Sequence, residues 1–380
     1  MTAGCDVVVV GGGAIGLASA WRLAGEGHTV TVCDPDPGRA ATHASAGMIA
    51  PVSETHFGEE MLQQLNLAGA ERWPGFAADL EAATGAPSGY RRTGSIAVAY
   101  DRDDKRELDR LHDHQLELGL AVERLSAADC RARAPMLSPR LTGGLWIEGD
   151  HQADNRRLVI TLLDALEAAG VTVIRRAVSR LDHDGAVSGV TLDDGTHLAA
   201  QVVVLAAGSW SAGIGGLPSS AVPPVRPVKG QIIRLQGPAD APTLEPCIRA
   251  LVRGHHLYLV PRLDGRIVVG ATQEEMGFDT TVTAEGIHEL LTDAIDLCPG
   301  LAEHELVETM AGLRPGTPDN GPVVGATTLD GLIVASGHFR HGILLTAITA
   351  DAVADLVAGR PVPAEMTPFG PGRFSDEAAA

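Results

Sequence analysis

One glycine-rich turn near the start of the chain constrains the fold more than any other feature of the sequence. Residues 7–10 are four consecutive valines, a short apolar run that predicts a buried strand of a parallel sheet. A GxGxxG motif follows at 11–16, then a helical stretch, a second apolar run at 29–33 and an acid, Asp34. This order of strand, glycine turn, helix, strand and acid is typical of a βαβ unit that binds a dinucleotide.

Each part of this motif has a physical role. Gly11 permits the tight turn from strand to helix, Gly13 lets the backbone approach a pyrophosphate, and Gly16 lets the helix pack closely on the strand. The helix N-terminus offers N–H groups and a partial positive charge to the phosphates, and Asp34 can accept hydrogen bonds from ribose hydroxyls. The alternative is an ordinary βαβ unit with a glycine turn, and the motif by itself does not choose between FAD and NAD.

Composition and charge argue against several other kinds of protein. The 380 residues are enough for a large core and predict two domains. The net charge of −19 argues against a nucleic acid or an anionic membrane as partner. We expect a cytoplasmic protein, because the sequence has no signal-peptide pattern and no apolar run long enough to span a membrane. The scattered cysteines lack CxxC spacing, which predicts reduced thiols and no metal site.

Two later segments repeat the pattern of an apolar strand that ends near glycine. Residues 202–205 lead to Ala207 and Gly208, and residues 332–336 lead into a glycine loop and a helix that we expect to begin near Ile343. A strand that ends in small residues can lie against a nucleotide, and the helix N-terminus supplies a second partial positive charge. We therefore expect a nucleotide-binding fold built from separate stretches of chain. For each segment alone, the alternative is a strand followed by a plain glycine turn.

The stretches between these segments follow other patterns. Short apolar or alternating runs separated by turn residues fill 221–322 and predict an antiparallel sheet. A helix is predicted over 59–84, with an interruption at Pro74. Residues 40–47 are nearly all small. From the residues alone, this stretch is either backbone packed against a flat ligand or the start of a small-residue helix.

Four segments taken together resemble the D-amino acid oxidase (DAO) superfamily. They are VVVVGGGAIG at 7–16, ASAGMIAP at 44–51, GLRPGTPDNGPVVG at 312–325 and SGHFRHGILLTAITA at 336–350. The resemblance covers nearly the whole chain and is greatest to the glycine oxidases of the thiamine pathway (ThiO type). It implies an FAD-dependent oxidoreductase that acts on CH–NH₂ donors. In that reaction the amine-bearing α-carbon passes a hydride to flavin N5 to give an imine, and O₂ reoxidises the flavin to give H₂O₂.

The resemblance also implies the fold class and the domains. The fold is α/β, or α+β overall: a Rossmann-like FAD-binding domain of the glutathione reductase type, and a substrate domain built on a largely antiparallel sheet. The FAD-binding domain is expected at 1–84, 151–220 and 323–370, the substrate-binding domain at 85–150 and 221–322, and a loose tail at 371–380.

Motif by motif, the resemblance assigns residues to the cofactor. Those implied to bind FAD are Gly11, Gly13, Ala14, Ile15, Gly16, Asp34, Pro35, Ala41, Thr42, Ala46, Gly47, Met48, Val178, Ala207, Gly208, His338, Phe339, Arg340, His341, Gly342, Ile343 and Leu344. The FAD is expected to be noncovalent, because Cys298 precedes Pro-Gly and does not resemble a flavin-linking cysteine.

Five residues are implied to serve the substrate. Arg314, in a predicted turn, matches the arginine that binds the substrate carboxylate, a planar group that a guanidinium pairs with better than an ammonium does. Tyr258 helps to hold that carboxylate, with His256 on the same strand face. Arg340 lies beside the site, and Met48 contacts both flavin and substrate. No general base is assigned, because a neutral amine can lose hydride directly when it is well positioned.

Several alternatives stay open. The substrate is glycine, sarcosine, a D-amino acid or another small amine, and the electron acceptor is oxygen or another oxidant. A role in forming the thiazole of thiamine is implied by the resemblance, and a homo-oligomer is left open. A different class of protein, a non-catalytic or NAD-linked nucleotide binder, would be colourless when purified.

Overall fold

The structure, a computed structural model, describes residues 5–238 and 244–374. Its strands are β1 (Cys5–Val10), β2 (Val30–Cys33), β3 (Met48–Ile49), β4 (Tyr90–Arg91), β5 (Ser95–Ala99), β6 (Glu123–Leu125), β7 (Gly143–Ile147), β8 (His151–Ala153), β9 (Thr172–Ile174), β10 (Val178–His183), β11 (Val187–Leu192), β12 (His197–Leu205), β13 (Arg226–Gln236), β14 (Cys247–Val252), β15 (His255–Pro261), β16 (Arg266–Gly270), β17 (Glu305–Gly316), β18 (Val323–Ala326) and β19 (Leu332–Ser336).

Helices of very different length connect these strands. The α-helices are α1 (Ala14–Gly25), α2 (Ala41–Ala44), α3 (Glu60–Thr84), α4 (Arg102–Glu117), α5 (Ala127–Arg133), α6 (Asn155–Ala168), α7 (Ala284–Leu297) and α8 (Thr346–Val357). Short 3₁₀ helices lie at Gly208–Gly213, Ser219–Ala221, Pro299–Glu303, Phe339–His341, Ala364–Phe369 and Pro371–Phe374.

The first sheet brings the predicted glycine turns together. Its strands follow the order β10-β11-β12-β1-β2-β9, with β19 paired to β12 and β18 to β19. The four valines of β1 are buried, because β1 lies between β12 and β2 and is parallel to both. β19 is also parallel to β12. The carboxyl ends of β1, β12 and β19 therefore meet at one edge, which brings Gly11, Gly208 and Gly337 close together.

The second sheet is largely antiparallel, as predicted. Its order is β17-β13-β16-β15-β14-β5-β7-β6, and the described exception to antiparallel pairing is β14 with β5. A small third sheet has the order β3-β8-β4. The mixture of a parallel nucleotide sheet and an antiparallel sheet confirms the predicted fold class. Strands of the first sheet come from the stretches assigned to the FAD-binding domain and strands of the second from the other stretches, but the domain boundaries stay a prediction.

Helix α3 corrects one expectation. The interruption predicted at Pro74 is wrong, because the helix runs without a break from Glu60 to Thr84. Trp73 and Phe76, on either side of the proline, are fully or almost fully buried, and the Trp73 indole N–H donates to the carbonyl of Leu344 at 2.9 Å. Tertiary packing of this kind outweighs the loss of one helical hydrogen bond.

Two element boundaries near the predicted site also differ from expectation. β17 continues to Gly316, so Arg314 lies on a strand and not in a turn; it pairs with Val228 because β13 is long enough to continue the ladder. Helix α8 begins at Thr346 and not near Ile343. A 3₁₀ helix and tight turns occupy the stretch before it.

The tail is packed where the structure describes it. Residues 371–374 form a 3₁₀ helix, and the Arg373 guanidinium pairs with Asp319 at 2.8 Å, so this part of the predicted loose tail is held against the body. Residues 375–380 lie outside the described residues. All five cysteines are free. Within the described ranges, no helix combines the length and hydropathy that a membrane crossing requires.

Candidate functional site

A cavity of about 1300 Å³ lies between the carboxyl edge of the first sheet and one face of the second. Typical small-molecule pockets hold about 300–1,000 Å³, so this cavity has room for a large ligand. Most of the residues predicted for cofactor and substrate line it. These are Gly11, Gly13, Ala14, Ile15, Asp34, Pro35, Ala41, Thr42, Ala46, Gly47, Met48, Val178, Ala207, Gly208, His256, Tyr258, Arg314, His338, Phe339, Arg340, Gly342 and Ile343.

The glycine turn forms one wall of the cavity. Gly11 has a φ of +108°, and a Cβ atom there would lie 2.4 Å from the carbonyl oxygen of Ala206, so the turn packs directly on the end of β12. A Cβ atom on Gly16 would lie 1.9 Å from the carbonyl oxygen of Gly11. Gly16 therefore holds α1 against the turn and does not line the cavity. In this described helix the first turn carries no acidic residue, so its partial positive charge is available to an anion.

Asp34 is held at the edge of the cavity by backbone N–H groups. Gly12 donates to one carboxylate oxygen at 2.7 Å, and Asp36 donates to the other at 2.8 Å. An ionised carboxylate can accept about four hydrogen bonds, so acceptor positions remain for hydroxyl groups of a ligand. The arrangement fits a ribose at this place.

The small-residue stretch lies along the same cavity. It contains the short helix α2, as one of the two interpretations predicted, and it also lines the cavity. That it packs against a flat ligand stays a prediction. Thr42 Oγ1 accepts a hydrogen bond from the Ala14 N–H at 3.1 Å, which ties the stretch to α1. Asn155 donates to the Thr42 carbonyl at 2.7 Å, and Arg262 donates to the Ala46 carbonyl at 2.7 Å. The stretch is therefore held by helices α1 and α6 on one side and by the end of β15 on the other.

The loop before α8 closes another side of the cavity. The His338 ring is hydrogen-bonded to Thr349 Oγ1 at 3.0 Å, and burial lowers the pKa of this histidine to about 3, so the ring is neutral. Two predicted residues of this loop lie behind the wall. The side chain of Leu344 packs in the core of the first sheet, and the buried His341 lies behind Glu54, with its Nδ1 3.3 Å from that carboxylate. They support the wall and do not line it.

We call the part of the cavity around Tyr258 and Arg314, where the sequence predicts the substrate, the substrate end. There, these two side chains lie across glycine residues of neighbouring strands. A Cβ atom on Gly270 would lie 2.3 Å from the Tyr258 hydroxyl, and one on Gly230 would lie 2.3 Å from Arg314 Nη1. Both side chains therefore occupy space that any other residue would fill. Arg314 Nη1 also donates to the carbonyl of Thr272 at 3.1 Å, which fixes the guanidinium in this position.

The three arginines at this end of the cavity, Arg249, Arg314 and Arg340, differ in the charges around them. Arg340 pairs with Glu59 at 3.2 Å, and Arg249 pairs with Glu54. Arg314 forms no ion pair with a carboxylate in the described part of the chain; its described acceptors are backbone carbonyls. Arg314 is therefore the cavity arginine with an uncompensated charge, which suits it to bind an incoming carboxylate.

Sequence reasoning missed three residues that line the substrate end, namely Glu54, His56 and Arg249. Arg249 lies on β14 directly opposite Tyr258 of β15, and this register depends on long-range pairing. The available signal was an arginine inside the otherwise apolar run 247–252. Glu54 and His56 follow the small-residue stretch and carried no motif.

Burial sets the protonation states at this end. It lowers the pKa of His56 and of His341 to about 4, so both rings are neutral near pH 7. Burial raises the pKa of Tyr258, whose hydroxyl therefore stays protonated and can donate. For Glu54, burial is the largest single influence and raises the pKa, but the surrounding positive groups, with Arg249 first among them, together lower it by more. The pKa is therefore below its ordinary value, and the carboxylate is ionised.

The residues present fit FAD. The cavity runs from Val178 past Asp34 and the N-terminus of α1 to the loop before α8, which suits an elongated ligand with adenine, ribose, pyrophosphate and a flat ring. Cys298 is fully buried in the core of the second sheet and does not line the cavity. Its position favours noncovalent binding.

Comparison with known proteins places this architecture among flavoenzymes. The sequence model of the family described as "FAD dependent oxidoreductase" matches residues 6–356. The bifunctional protein ThiO/ThiG of Trichormus variabilis is 34% identical over 376 residues, which are 98% of this chain and 56% of that protein. The chain thus spans about half the length of such bifunctional relatives.

Two further relatives match over nearly their full length. The glycine oxidase of Geobacillus kaustophilus is 33% identical over 97% of both chains. Its crystal structure superposes with a TM-score of 0.88, covering 97% of this chain and 98% of that one. The crystal structure of iminodiacetate oxidase from Chelativorans sp. BNC1 has a TM-score of 0.86 at 28% identity and covers 96% of this chain and 99% of that one.

Proposed function

The chain belongs to the family of FAD-dependent oxidoreductases, and we propose that within this family it is an amino acid oxidase that acts on glycine. FAD is its cofactor. When bound, FAD accepts a hydride from the amine-bearing carbon and passes the electrons to O₂, which gives an imine and H₂O₂. The relatives named glycine oxidase and ThiO/ThiG support this choice of substrate.

The observation that carries the proposal is the state of Arg314. It is the cavity arginine without a described carboxylate partner, and its guanidinium is held over Gly230 on a rigid strand. Such a group binds the carboxylate of an amino acid in bidentate fashion. The protonated hydroxyl of Tyr258 can donate to the same carboxylate. Together they orient the substrate in advance, and this positioning lowers the barrier without a general base.

The surroundings of the substrate end favour the smallest amino acid. Glu54, Arg249 and His256 contribute charged or polar atoms to the wall there. An apolar side chain on the α-carbon would remove water from these groups without replacing their hydrogen bonds, which is unfavourable. Glycine has no such side chain. The wall therefore supports glycine over larger apolar D-amino acids.

The test measures H₂O₂ production by the purified holoenzyme with glycine, sarcosine and D-alanine in one assay. We expect a yellow protein with the highest kcat/KM for glycine. A colourless protein would contradict the FAD-dependent oxidase. A higher kcat/KM for D-alanine or sarcosine would assign the other substrate, and turnover with an artificial dye but not with O₂ would make the enzyme a dehydrogenase.

Arg314 has its own test. Arg314→Ala should raise the KM for glycine about 100-fold while FAD stays bound, because a charge-assisted bidentate contact is lost. Arg314→Lys keeps the positive charge but not the planar guanidinium, so its KM for glycine should lie between the values for wild type and Arg314→Ala. Unchanged glycine kinetics in Arg314→Ala would remove this residue from the site.

The biological setting is also part of the proposal. We assign the protein to thiazole formation in thiamine biosynthesis, which the ThiO relatives support. A cytoplasmic location is supported by the five free thiols, which suit a reducing compartment. Loss of thiamine-independent growth after deletion of the gene, restored by the wild-type gene but not by Arg314→Ala, would bear out this role.

A further inference from the structure

We propose that Glu54 sets the substrate class by neutralising Arg249, so that the site accepts an amine with one carboxylate and rejects an amine with two. This inference rests on the proposed function and deepens it, because it concerns the molecule that Arg314 holds. We use the name substrate chamber for the part of the cavity lined by Glu54, Arg249, Tyr258, Arg314 and Arg340.

Arg249 lies directly opposite Tyr258 in the ladder between β14 and β15, so both side chains are on one face of the sheet. On the other side of β15, Tyr258 lies opposite Gly270, and its hydroxyl extends over that glycine. Arg314 reaches over Gly230 of β13, the next strand in the sheet. Tyr258 therefore stands between two guanidinium groups.

The spacing of the strands gives the scale of this chamber. Three strand spacings separate β14, which carries Arg249, from β13, over which the Arg314 guanidinium lies, and they amount to roughly 14 Å. A molecule with a carboxylate at each end can lie between two such groups. An amine that carries two carboxylates, held at one end by Arg314, extends towards Arg249.

Two of the three arginines of the substrate chamber are paired with carboxylates. Glu54 forms an ion pair with Arg249, and its other oxygen lies 3.3 Å from Nδ1 of the neutral His341. Arg340 is neutralised in the same way by Glu59. Of the three arginines of the chamber, Arg314 alone forms no ion pair within the described ranges. The chamber therefore has one cation available for one carboxylate.

A second substrate carboxylate would bind unfavourably near Arg249. There it would meet the ionised Glu54, and repulsion between like charges is strong where burial lowers the dielectric constant. Glu54 would also have to give up the arginine that compensates its own burial, which is unfavourable. With Glu54 neutral, Arg249 would become a second free cation of suitable geometry.

The experiment measures binding of acetate, with one carboxylate, and malonate, with two, to the FAD-loaded enzyme through changes in the flavin absorption spectrum. In Glu54→Gln, which keeps the shape of the side chain, we expect the Kd for malonate to fall at least about tenfold while that for acetate changes little. In the same variant the kcat/KM for iminodiacetate should rise about tenfold relative to that for glycine.

Two control variants make the result specific. Glu54→Gln/Arg249→Met removes both partners, so malonate affinity should return towards the wild-type value. Glu285→Gln makes the same change of charge at an exposed position of the cavity wall and should leave the ratio of the two Kd values unchanged. If Glu54→Gln does not fold, Glu54→Ala removes the same charge and is held to the same outcome.

Failure of this inference is distinct from failure of the proposed function. An unchanged ratio of malonate to acetate affinity in the folded Glu54 variant would overturn the inference, and so would a gain that persists in the double variant. Anion binding needs no turnover, so it reports on Glu54 even for an enzyme that does not oxidise glycine. Wild-type enzyme without glycine turnover would instead overturn the proposed function.

Discussion

At the scale of single residues, the substrate end depends on two positions that lack a side chain. Gly230→Ala places a Cβ atom only 2.3 Å from the present position of Arg314 Nη1, so the guanidinium must move. We expect the KM for glycine to rise by up to about 100-fold, because a displacement of about 1 Å at a binding group has effects of that size. Gly270→Ala should act in the same direction through Tyr258. Steady-state H₂O₂ production measures both.

Gly300, in the 3₁₀ helix Pro299–Glu303, gives the matched control for a glycine-to-alanine change. A Cβ atom on Gly300 would meet no other atom within 4 Å. Gly300→Ala should therefore leave KM and FAD content unchanged. If Gly230→Ala behaved like Gly300→Ala, the guanidinium of Arg314 would not be the group that holds the substrate.

His338 predicts how stability depends on pH. Burial lowers its pKa from 6.5 to about 3, so between these values the unfolded chain binds a proton that the folded chain does not. The contribution of the neutral His338 ring to the free energy of unfolding is complete above about pH 6.5. It is lost as the pH falls, by up to about 1.4 kcal/mol per pH unit. When the free energy of unfolding of the holoenzyme is measured in urea between about pH 7 and about pH 5, it should change less with pH for His338→Gln than for wild type. Equal slopes would contradict the neutral buried ring.

At the scale of elements, α1 is held against the glycine turn that follows β1 by a contact that leaves no room for a side chain. A Cβ atom on Gly16 would lie 1.9 Å from the Gly11 carbonyl oxygen. Gly16→Ala must push the helix away from the turn, and overpacking of this kind costs about 1–3 kcal/mol. The N-terminus of α1 moves with it, so we expect weaker FAD binding as well as a lower Tm. Release of flavin fluorescence during heating reports both.

The same helix offers the control. Gly25 ends α1, and a Cβ atom there would meet no other atom within 4 Å. Gly25→Ala should be neutral or stabilise by about 0.4–1 kcal/mol, because it restricts the unfolded chain. A loss of FAD affinity in Gly25→Ala as large as in Gly16→Ala would mean that helix composition, and not the contact with the turn, sets cofactor binding.

Local signals predicted these elements well, and the errors lie where distant packing decides. The valine strand, the glycine turn and α1 were readable because each depends on neighbours in sequence. The helix across Pro74 was not, because burial of Trp73 against distant residues holds it together. Arg314 was expected in a turn and lies on a strand, because β13 extends the ladder beyond the point where the Gly/Pro-rich sequence suggested an end.

The site follows the same division. Arg314 belongs to one of the four segments that carry the family resemblance, and Tyr258 was assigned through that resemblance from its place on an apolar strand. Arg249 and Glu54 belong to no motif, and their meeting depends on the register of β14 with β15 and on the path of the chain after β3. Such contacts arise only from the folded chain. Contacts that depend on neighbours in sequence were thus predictable, and contacts that depend on long-range strand pairing were not.

At the scale of the whole molecule, one buried guanidinium joins the second sheet to the small third sheet, to helix α6 and to the small-residue stretch. Arg262 directly follows β15 of the second sheet and is 6% exposed. It donates to the Ala46 carbonyl at 2.7 Å, to Gln152 Oε1 at 2.7 Å and to Asn155 Oδ1 at 3.1 Å. These acceptors belong to the small-residue stretch, to β8 and to α6. Arg262 therefore fixes the small-residue stretch, which lines the cavity, to the end of β15.

This position gives the last prediction. Arg262→Met leaves three buried acceptors without their donor, which should lower the free energy of unfolding by about 3 kcal/mol or more. Arg262→Lys should not restore it, because an ammonium cannot reproduce the planar fork. Arg266→Met, which removes a more exposed arginine paired with Asp264, should change it little. In urea, flavin release should precede loss of helical circular dichroism in Arg262→Met and coincide with it in wild type; coincident transitions in both would show that Arg262 does not join cofactor binding to the fold.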